Sequence, residues 1–283
     1  GQLASRERSI ERMAHGLRRF ILGLAKKLLL SGGCAILVDA AFSAGEALDA
    51  RMAWLGAIFY SLQLYFDFSG YSDMAVGLGA MLGFECPENF NYPYAATSIT
   101  DFWRRWHITL SSWFRDYLYI PLGGSRRGKW RTAFNKAVVF VLCGLWHGAN
   151  MTFVLWGAWH ALLSALESLK VLDVARWRKT AVGRVISRVY TLLAVCLGFA
   201  MFRAESVSQG FEIIGAMFAG WDFTLAGELL LARSVDGYTL AVLVLSAVFS
   251  LPVLRKMRDF AKRSGERVER NLELASYFGC LAL

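Results

Sequence analysis

The chain has 283 residues, of which 56% are hydrophobic and only 19% charged, with a formal net charge of +9. Soluble domains average about 25% charged residues, and the deficit here is concentrated in long charge-free runs, which excludes an ordinary soluble domain. The basic excess lies between those runs rather than along one soluble face. That distribution argues against a nucleic-acid binder and fits the basic cytoplasmic loops of a membrane protein.

The sequence predicts an all-α, polytopic transmembrane protein with interfacial and broken helices, organised as a single membrane domain over residues 1–283. Phe20–Val38 is apolar but carries Lys26 and Lys27 at its middle. It reads first as an amphipathic helix lying in the interface, and second as a span whose lysines face protein. Met52–Phe66 is charge-free and is followed by Asp67 and Asp73, which bracket Phe68–Ser72. Carboxylates at membrane depth face a cavity or a partner charge, and Gly70 permits a broken helix there. A simple span ending at Asp67 is the alternative.

From Thr100 to Trp113 the pattern predicts one helix, with Ser98 as N-cap and Asp101 three residues inside it. Asp101 stands four residues before Arg105, the favourable order for an ion pair. On such a helix His107 shares a face with Trp103, Leu110 and Phe114. The basic loop Ser125–Arg131 follows, then Ala137–Leu166 without a single Asp, Glu, Lys or Arg. As one helix that run would extend about 45 Å against a hydrocarbon core of about 30 Å. A break at His147–Asn150 would make it a shallow hairpin; a single tilted helix is the alternative.

Val189–Phe202 and Gly237–Leu254 supply two further spans. Basic clusters at residues 126–136, 170–188 and 255–263 are expected on the cytoplasmic side. Cys34, Cys86, Cys143, Cys196 and Cys280 are scattered without a CxxC pair, which gives no disulfide or metal pattern.

Four histidines are present, and two carry chemical interest. His147 is the most ionisable group in the charge-free run, flanked by Trp146, Gly148 and Asn150. Apolar surroundings keep an imidazole neutral, as a general base requires. Asn150 could fix its tautomer or donate to an oxyanion, while Gly148 would let a substrate approach the backbone. A packing role for His147 is the alternative. From its own segment His107 reads first as part of an interfacial aromatic belt and second as a site residue, and His160, near Trp156 and Trp159, as packing or interfacial. GxSxG, Walker A and HExxH motifs are absent. On physical grounds alone a transporter or channel subunit, or a non-catalytic component of an export complex, stays open beside a proton-transfer enzyme.

Several stretches resemble the membrane-bound O-acyltransferase family, in its bacterial alginate O-acetyltransferase-like branch. They are LYFDFSGYSDMAVGLG from Leu64, ENFNYPY from Glu88, TDFWRRWHITL from Thr100, RDYLYIPLGG from Arg115 and GLWHGAN from Gly144. FRAES from Phe202 closes the series, and the teichoic acid D-alanyl transferases are more distant relatives. The resemblance implies a tunnel through the bilayer, with His147 as the catalytic base and His107 as a second polar site residue. Asp67, Asp73, Trp103, Trp146 and Asn150 are substrate or tunnel candidates. Asp101, Arg104 and Arg105 are expected to support the site. Apart from the resemblance, Arg126, Arg127 and Lys129 read first as a topology signal and second as a patch that attracts the donor.

It further implies a multi-pass protein of the bacterial inner membrane that takes an acyl group, first of all acetyl, from a thioester. Acetyl-coenzyme A and an acyl-carrier protein are both eligible donors; no permanent cofactor and no metal are expected. The acceptor would be a polysaccharide hydroxyl, reached directly or through a periplasmic acyl-relay protein, with lipid as the surrounding partner and no nucleic acid. Family members carry further spans before the equivalent of residue 10, so the chain is expected to be the C-terminal part of such a protein.

Overall fold

The computed structural model describes Gln2, Arg6 and residues 9–264. The third basic cluster falls partly outside the description, as the side chains of Arg258 and Lys262 do; so does Cys280. Among the described residues the secondary structure is entirely helical, as an all-α membrane protein requires. Two helical runs, Ile10–Phe42 and Ala181–Arg203, are long and apolar enough to cross a membrane, and a bent pair over residues 225–250 would make a third. The chain packs as two compact units.

The first unit comprises residues 1–34, 62–89 and 238–283. Its main elements are α1 (Ile10–Ala25), a wider π-type turn at Lys26–Ser31, and the second half of α3 (Ala50–Met81); the turn leads into α2 (Gly32–Phe42), most of which belongs to the second unit. Helix α1 starts where the Ser9 hydroxyl accepts the Arg12 amide. It lies against α3 along a ladder of glycines spaced seven residues apart on each helix. A Cβ on Gly16 would meet the Gly77 carbonyl oxygen at 2.6 Å, and one on Gly23 the Gly70 carbonyl oxygen at 2.6 Å. Only hydrogen at these positions lets the two backbones touch, which is how helices gain dispersion energy where lipid removes the hydrophobic incentive.

Charges close the same seam. Lys26 bonds Asp73 at 2.6 Å, Arg19 bonds Asp73 at 2.8 Å and Glu88 at 2.5 Å, and Lys27 pairs with Asp67. Both lysines of Phe20–Val38 are thus paired with protein, as the second reading of that segment expected. The lysines face protein because α3 supplies a carboxylate for each of them. Helix α3 also runs unbroken through Gly70, against both sequence readings of that stretch. Gly70 serves the close approach of α1 instead of a kink.

The second unit comprises residues 35–61 and 90–237. Asp49 opens the first half of α3, its carboxylate accepting the Met52 amide while Arg51 bonds it at 2.6 Å. Short helices α4 (Ile99–Trp103) and α5 (Ile108–Phe114) precede α6 (Lys129–His147) and α7 (Met151–Leu169). Then come α8 (Val174–Trp177), α9 (Ala181–Arg203), α10 (Val207–Ala219) and α11 (Leu225–Ser234). The last two helices, α12 (Gly237–Ser250) and, after Pro252, α13 (Val253–Ser264), belong to the first unit. Side-chain oxygens of Ser98, Asn150, Thr180, Ser206 and Thr224 accept the amides that open α4, α7, α9, α10 and α11.

The glycine ladder predicts that Gly23→Leu destabilises the folded protein by about 1–3 kcal/mol, the usual cost of overpacking. Gly215→Ala is the control, since a Cβ there meets nothing within 4 Å. Thermal unfolding in detergent, followed by tryptophan fluorescence, should show a clear loss for the first variant and none for the second.

Candidate functional site

The hairpin expected within Ala137–Leu166 is present, and its turn falls at the expected residues. Helix α6 ends at His147, Gly148 adopts φ 151°, and Asn150 caps α7. The helices touch through backbone: a Cβ on Gly144 would collide with the Phe153 carbonyl, and one on Gly157 with the Phe140 carbonyl. Asn150 does not reach His147 in the way the sequence suggested. Its carbonyl oxygen accepts the Thr152 amide at 3.1 Å and its amide donates to the Glu205 carbonyl at 3.0 Å. Both ends of the side chain are consumed in starting α7 and tying it to the residues after α9.

His147 is half-buried within a box of rings. Trp146, Trp156 and Phe202 meet it edge-on at centroid distances of 5.0, 5.2 and 5.2 Å, and Phe153 stands at 6.3 Å. Trp156 is a shared wall. On its other side His160 sits 5.3 Å away, fully buried among Phe102, Trp103 and Phe140.

His107 departs from its expected position. The helix predicted over residues 100–113 breaks after Trp103, and His107 takes a left-handed conformation (φ 44°) that restarts the chain as α5. It therefore does not share a helical face with Trp103, Leu110 and Phe114. The cause lies at Arg105. Its carbonyl is spent on the Asn91 amide at 2.9 Å, and its guanidinium bonds Asp101 at 2.9 Å and the Asn91 carbonyl. The predicted Asp101–Arg105 pair and the Ser98 cap both form, but the pair bridges the break.

The break carries His107 close enough to His147 for the two imidazoles to interact electrostatically. Burial first, and then His147, push the His107 imidazole down to about 4 from its ordinary 6.5. It is thus uncharged at neutral pH, able to donate one hydrogen bond and accept another.

A cavity of about 410 Å³ opens between α4, α5, α6 and α7, lined by Trp103, Arg104, Phe114, Lys136, Phe140 and Cys143 among others. On α6, Lys136, Phe140 and Cys143 form one stripe, and His147 continues it one turn further. A polar pocket of about 320 Å³ shares Thr100, Arg104 and Lys136 with this cavity and adds Glu167, Lys170 and Arg178. The cations at the cavity are therefore Arg104, Arg115 and Lys136. Arg126 and Arg127, on the loop before α6, and Lys129, the first residue of that helix, are exposed and do not line the cavity. Asn135, fully buried, anchors that loop by donating to the Leu122 and Gly124 carbonyls.

Asp67 and Asp73 belong to the first unit, where they neutralise α1. No group of three or more His, Cys, Asp or Glu that could hold a metal ion occurs among the described residues. Glu167 escaped the sequence reading: its carboxylate accepts the Ile99 amide at 2.7 Å and the Thr100 amide at 3.1 Å. The signal was its position as the first charge after thirty uncharged residues.

The family model of the MBOAT, membrane-bound O-acyltransferase family, matches residues 4–207. The chain belongs to that family. It is 44% identical over 245 residues to the "Probable alginate O-acetylase AlgI" of Pseudomonas putida, covering 87% of this chain and 49% of that protein. To the "Peptidoglycan O-acetyltransferase" of Helicobacter pylori it is 38% identical over 205 residues, 72% of this chain and 39% of the relative. The "Teichoic acid D-alanyltransferase" of Bacillus subtilis matches at 36% over 161 residues, 52% of this chain and 40% of the relative. The chain spans about half the length of the first of these relatives and less of the others. All the residues of the two-histidine site lie inside the family match.

The electrostatic coupling of the histidines is open to direct measurement. In histidine-labelled protein, the His107 ring resonances should titrate with a midpoint near 4. In His147→Ala the midpoint should move up toward the ordinary value of about 6.5, because a neighbouring imidazole and part of the burial are lost together. An unchanged midpoint would mean that the rings do not sense each other.

Proposed function

We propose that the protein containing this chain is a membrane O-acyltransferase. In this reading it moves an acyl group, acetyl first of all, from a thioester to a hydroxyl of a bacterial cell-surface polysaccharide. The observation that carries the reading is the pair of neighbouring imidazoles beside an apolar cavity, in a chain of this family. The acceptor class rests on the relatives, whose names specify alginate, peptidoglycan and teichoic acid. Delivery is to the polymer directly or through a partner protein, and the site of action is the bacterial inner membrane.

The chemistry follows from the groups present. The acceptor hydroxyl attacks the thioester carbonyl while the His147 ring nitrogen takes its proton. His107 donates a hydrogen bond to the carbonyl oxygen as it gains charge. Collapse of the tetrahedral intermediate breaks the C–S bond, forms the ester, and returns the proton to the departing thiolate. The aromatic box limits the approach of water to His147, and burial keeps the His107 imidazole neutral beforehand. Asp101 and Arg105 hold the turn that carries His107. The cavity, with Arg104 and Lys136 toward its polar end, is the place for the thioester arm of coenzyme A or of a carrier protein. Arg126, Arg127 and Lys129 serve as an outlying basic patch that attracts such an anionic donor.

In cells whose sole copy is the variant, His147→Ala should lower acyl ester on the surface polysaccharide by a factor of about 10²–10⁴, the usual worth of a general base. Membrane levels of the protein should stay near normal. Retention of a tenth or more of the ester would refute the base role. His107→Asn should keep more activity than His107→Ala, because an amide still donates to a carbonyl.

Charge removal in the loop separates donor attraction from a purely topological role. Replacing Arg126, Arg127 and Lys129 by Gln should raise the donor KM with little change in kcat. The rise should shrink with added salt, since screening over about 8–10 Å already weakens the wild-type attraction.

A further inference from the structure

Helix α4 is only five residues long, yet it leads directly into the turn that presents His107. A single turn of helix has little stability of its own, so its position must come from its neighbours. Two side chains of α7 hold it, one at each end. At the start of α4, both Glu167 carboxylate oxygens are engaged: Oε1 accepts the Ile99 amide at 2.7 Å, and Oε2 accepts the Thr100 amide at 3.1 Å and the Thr100 hydroxyl at 2.9 Å. Tyr190 of α9 donates to Oε1 at 3.5 Å. At the end of α4, the Trp103 indole N–H donates to His160 Nδ1 at 3.3 Å. Glu167 and His160 are seven residues apart, two turns on one face of α7. The same helix begins beside His147, immediately after the α6–α7 turn.

We propose that Glu167, with the Trp103–His160 bond as its counterpart, is a positioning residue that fixes His107 relative to His147. Glu167 touches no reacting atom. It satisfies the amides that a helix start leaves open, and its negative charge suits that end of the helix. His160 takes the other end, and its partner fixes its tautomer: Nδ1 accepts from the indole, so Nε2 carries the proton. Helix α7 thereby becomes a ruler between the two imidazoles. The inference rests on the two-histidine reading of the site and adds the device that sets its spacing.

The test uses the complete protein in cells lacking any other copy, with the rate of base-labile acyl ester formation on purified surface polysaccharide as readout. Glu167→Ala should slow transfer about 100-fold, the scale expected when a catalytic group is misplaced by about 1 Å. Glu167→Gln should recover to within about 10-fold of wild type, since one amide oxygen still caps the helix. Trp103→Phe, which removes the indole N–H together with part of the ring, should slow transfer about 10-fold. Each variant combined with His107→Ala should be no slower than His107→Ala alone, because both act through the same group.

If Glu167→Ala reaches the membrane normally and keeps its rate within about 3-fold, or if the losses multiply with His107→Ala, the positioning role is overturned. Should Glu167→Ala fail to accumulate, Trp103→Phe and Glu167→Gln with their His107 doubles decide the matter by the same criterion. If instead His107→Ala and His147→Ala both transfer at wild-type rates, the two-histidine reading itself falls, a distinct result.

Discussion

The backbone contact between α6 and α7 at Gly144 and Gly157 governs the geometry of the second unit. Side chains normally hold packed helices about 8–10 Å apart, and here a Cβ at either glycine would strike the opposite carbonyl. Such closeness makes a turn as short as Gly148–Asn150 feasible, with Gly148 in a conformation that other residues avoid. It also presses the last residue of α6, His147, against the first turns of α7, where Phe153 and Trp156 wait. Helix α9 completes the wall with Phe202. Aromatic pairs of this kind contribute about 0.5–1.5 kcal/mol each beyond simple burial, which holds the box together.

Burial and proximity have a joint electrostatic effect. Desolvation disfavours an imidazolium, and each of the two imidazoles disfavours a proton on the other. A pair of neutral rings can split the work of proton acceptance and hydrogen-bond donation without either being trapped as a cation at the start. The arrangement needs accurate spacing more than it needs charge. That explains why so many of the hydrogen bonds nearby, from Asn91, Asp101, Arg105 and Glu167, serve only to fix backbone.

The sequence made part of this legible. The hairpin at His147–Asn150 could be read because a thirty-residue apolar run is too long for one crossing, and the Ser98 cap because the hydroxyl stands before a periodic segment. The break at His107 was hidden, since every residue from Thr100 to Trp113 suits a helix and the interruption comes from a loop partner, Asn91, distant in the pattern. Lys26 and Lys27 looked interfacial for a related reason. Their carboxylate partners lie some forty residues later, and only the glycine ladder, itself invisible to hydropathy, brings them within reach. Glu167 was passed over because an acidic residue at the end of an apolar helix resembles an ordinary solvated terminus.

The ion pairs between α1 and α3 bear on how the protein is made. A lysine at the centre of a span costs about 2.5–3.5 kcal/mol on insertion scales, and the apolar run Ile10–Phe42 carries Lys26 and Lys27, whose partners Asp73 and Asp67 stand on α3. That run alone is thus a poor candidate for release into lipid. With its lysines paired to the carboxylates of α3 and its glycines in register, the charge cost is offset. Docking of α3 and acceptance of the run by the bilayer are therefore one coupled event.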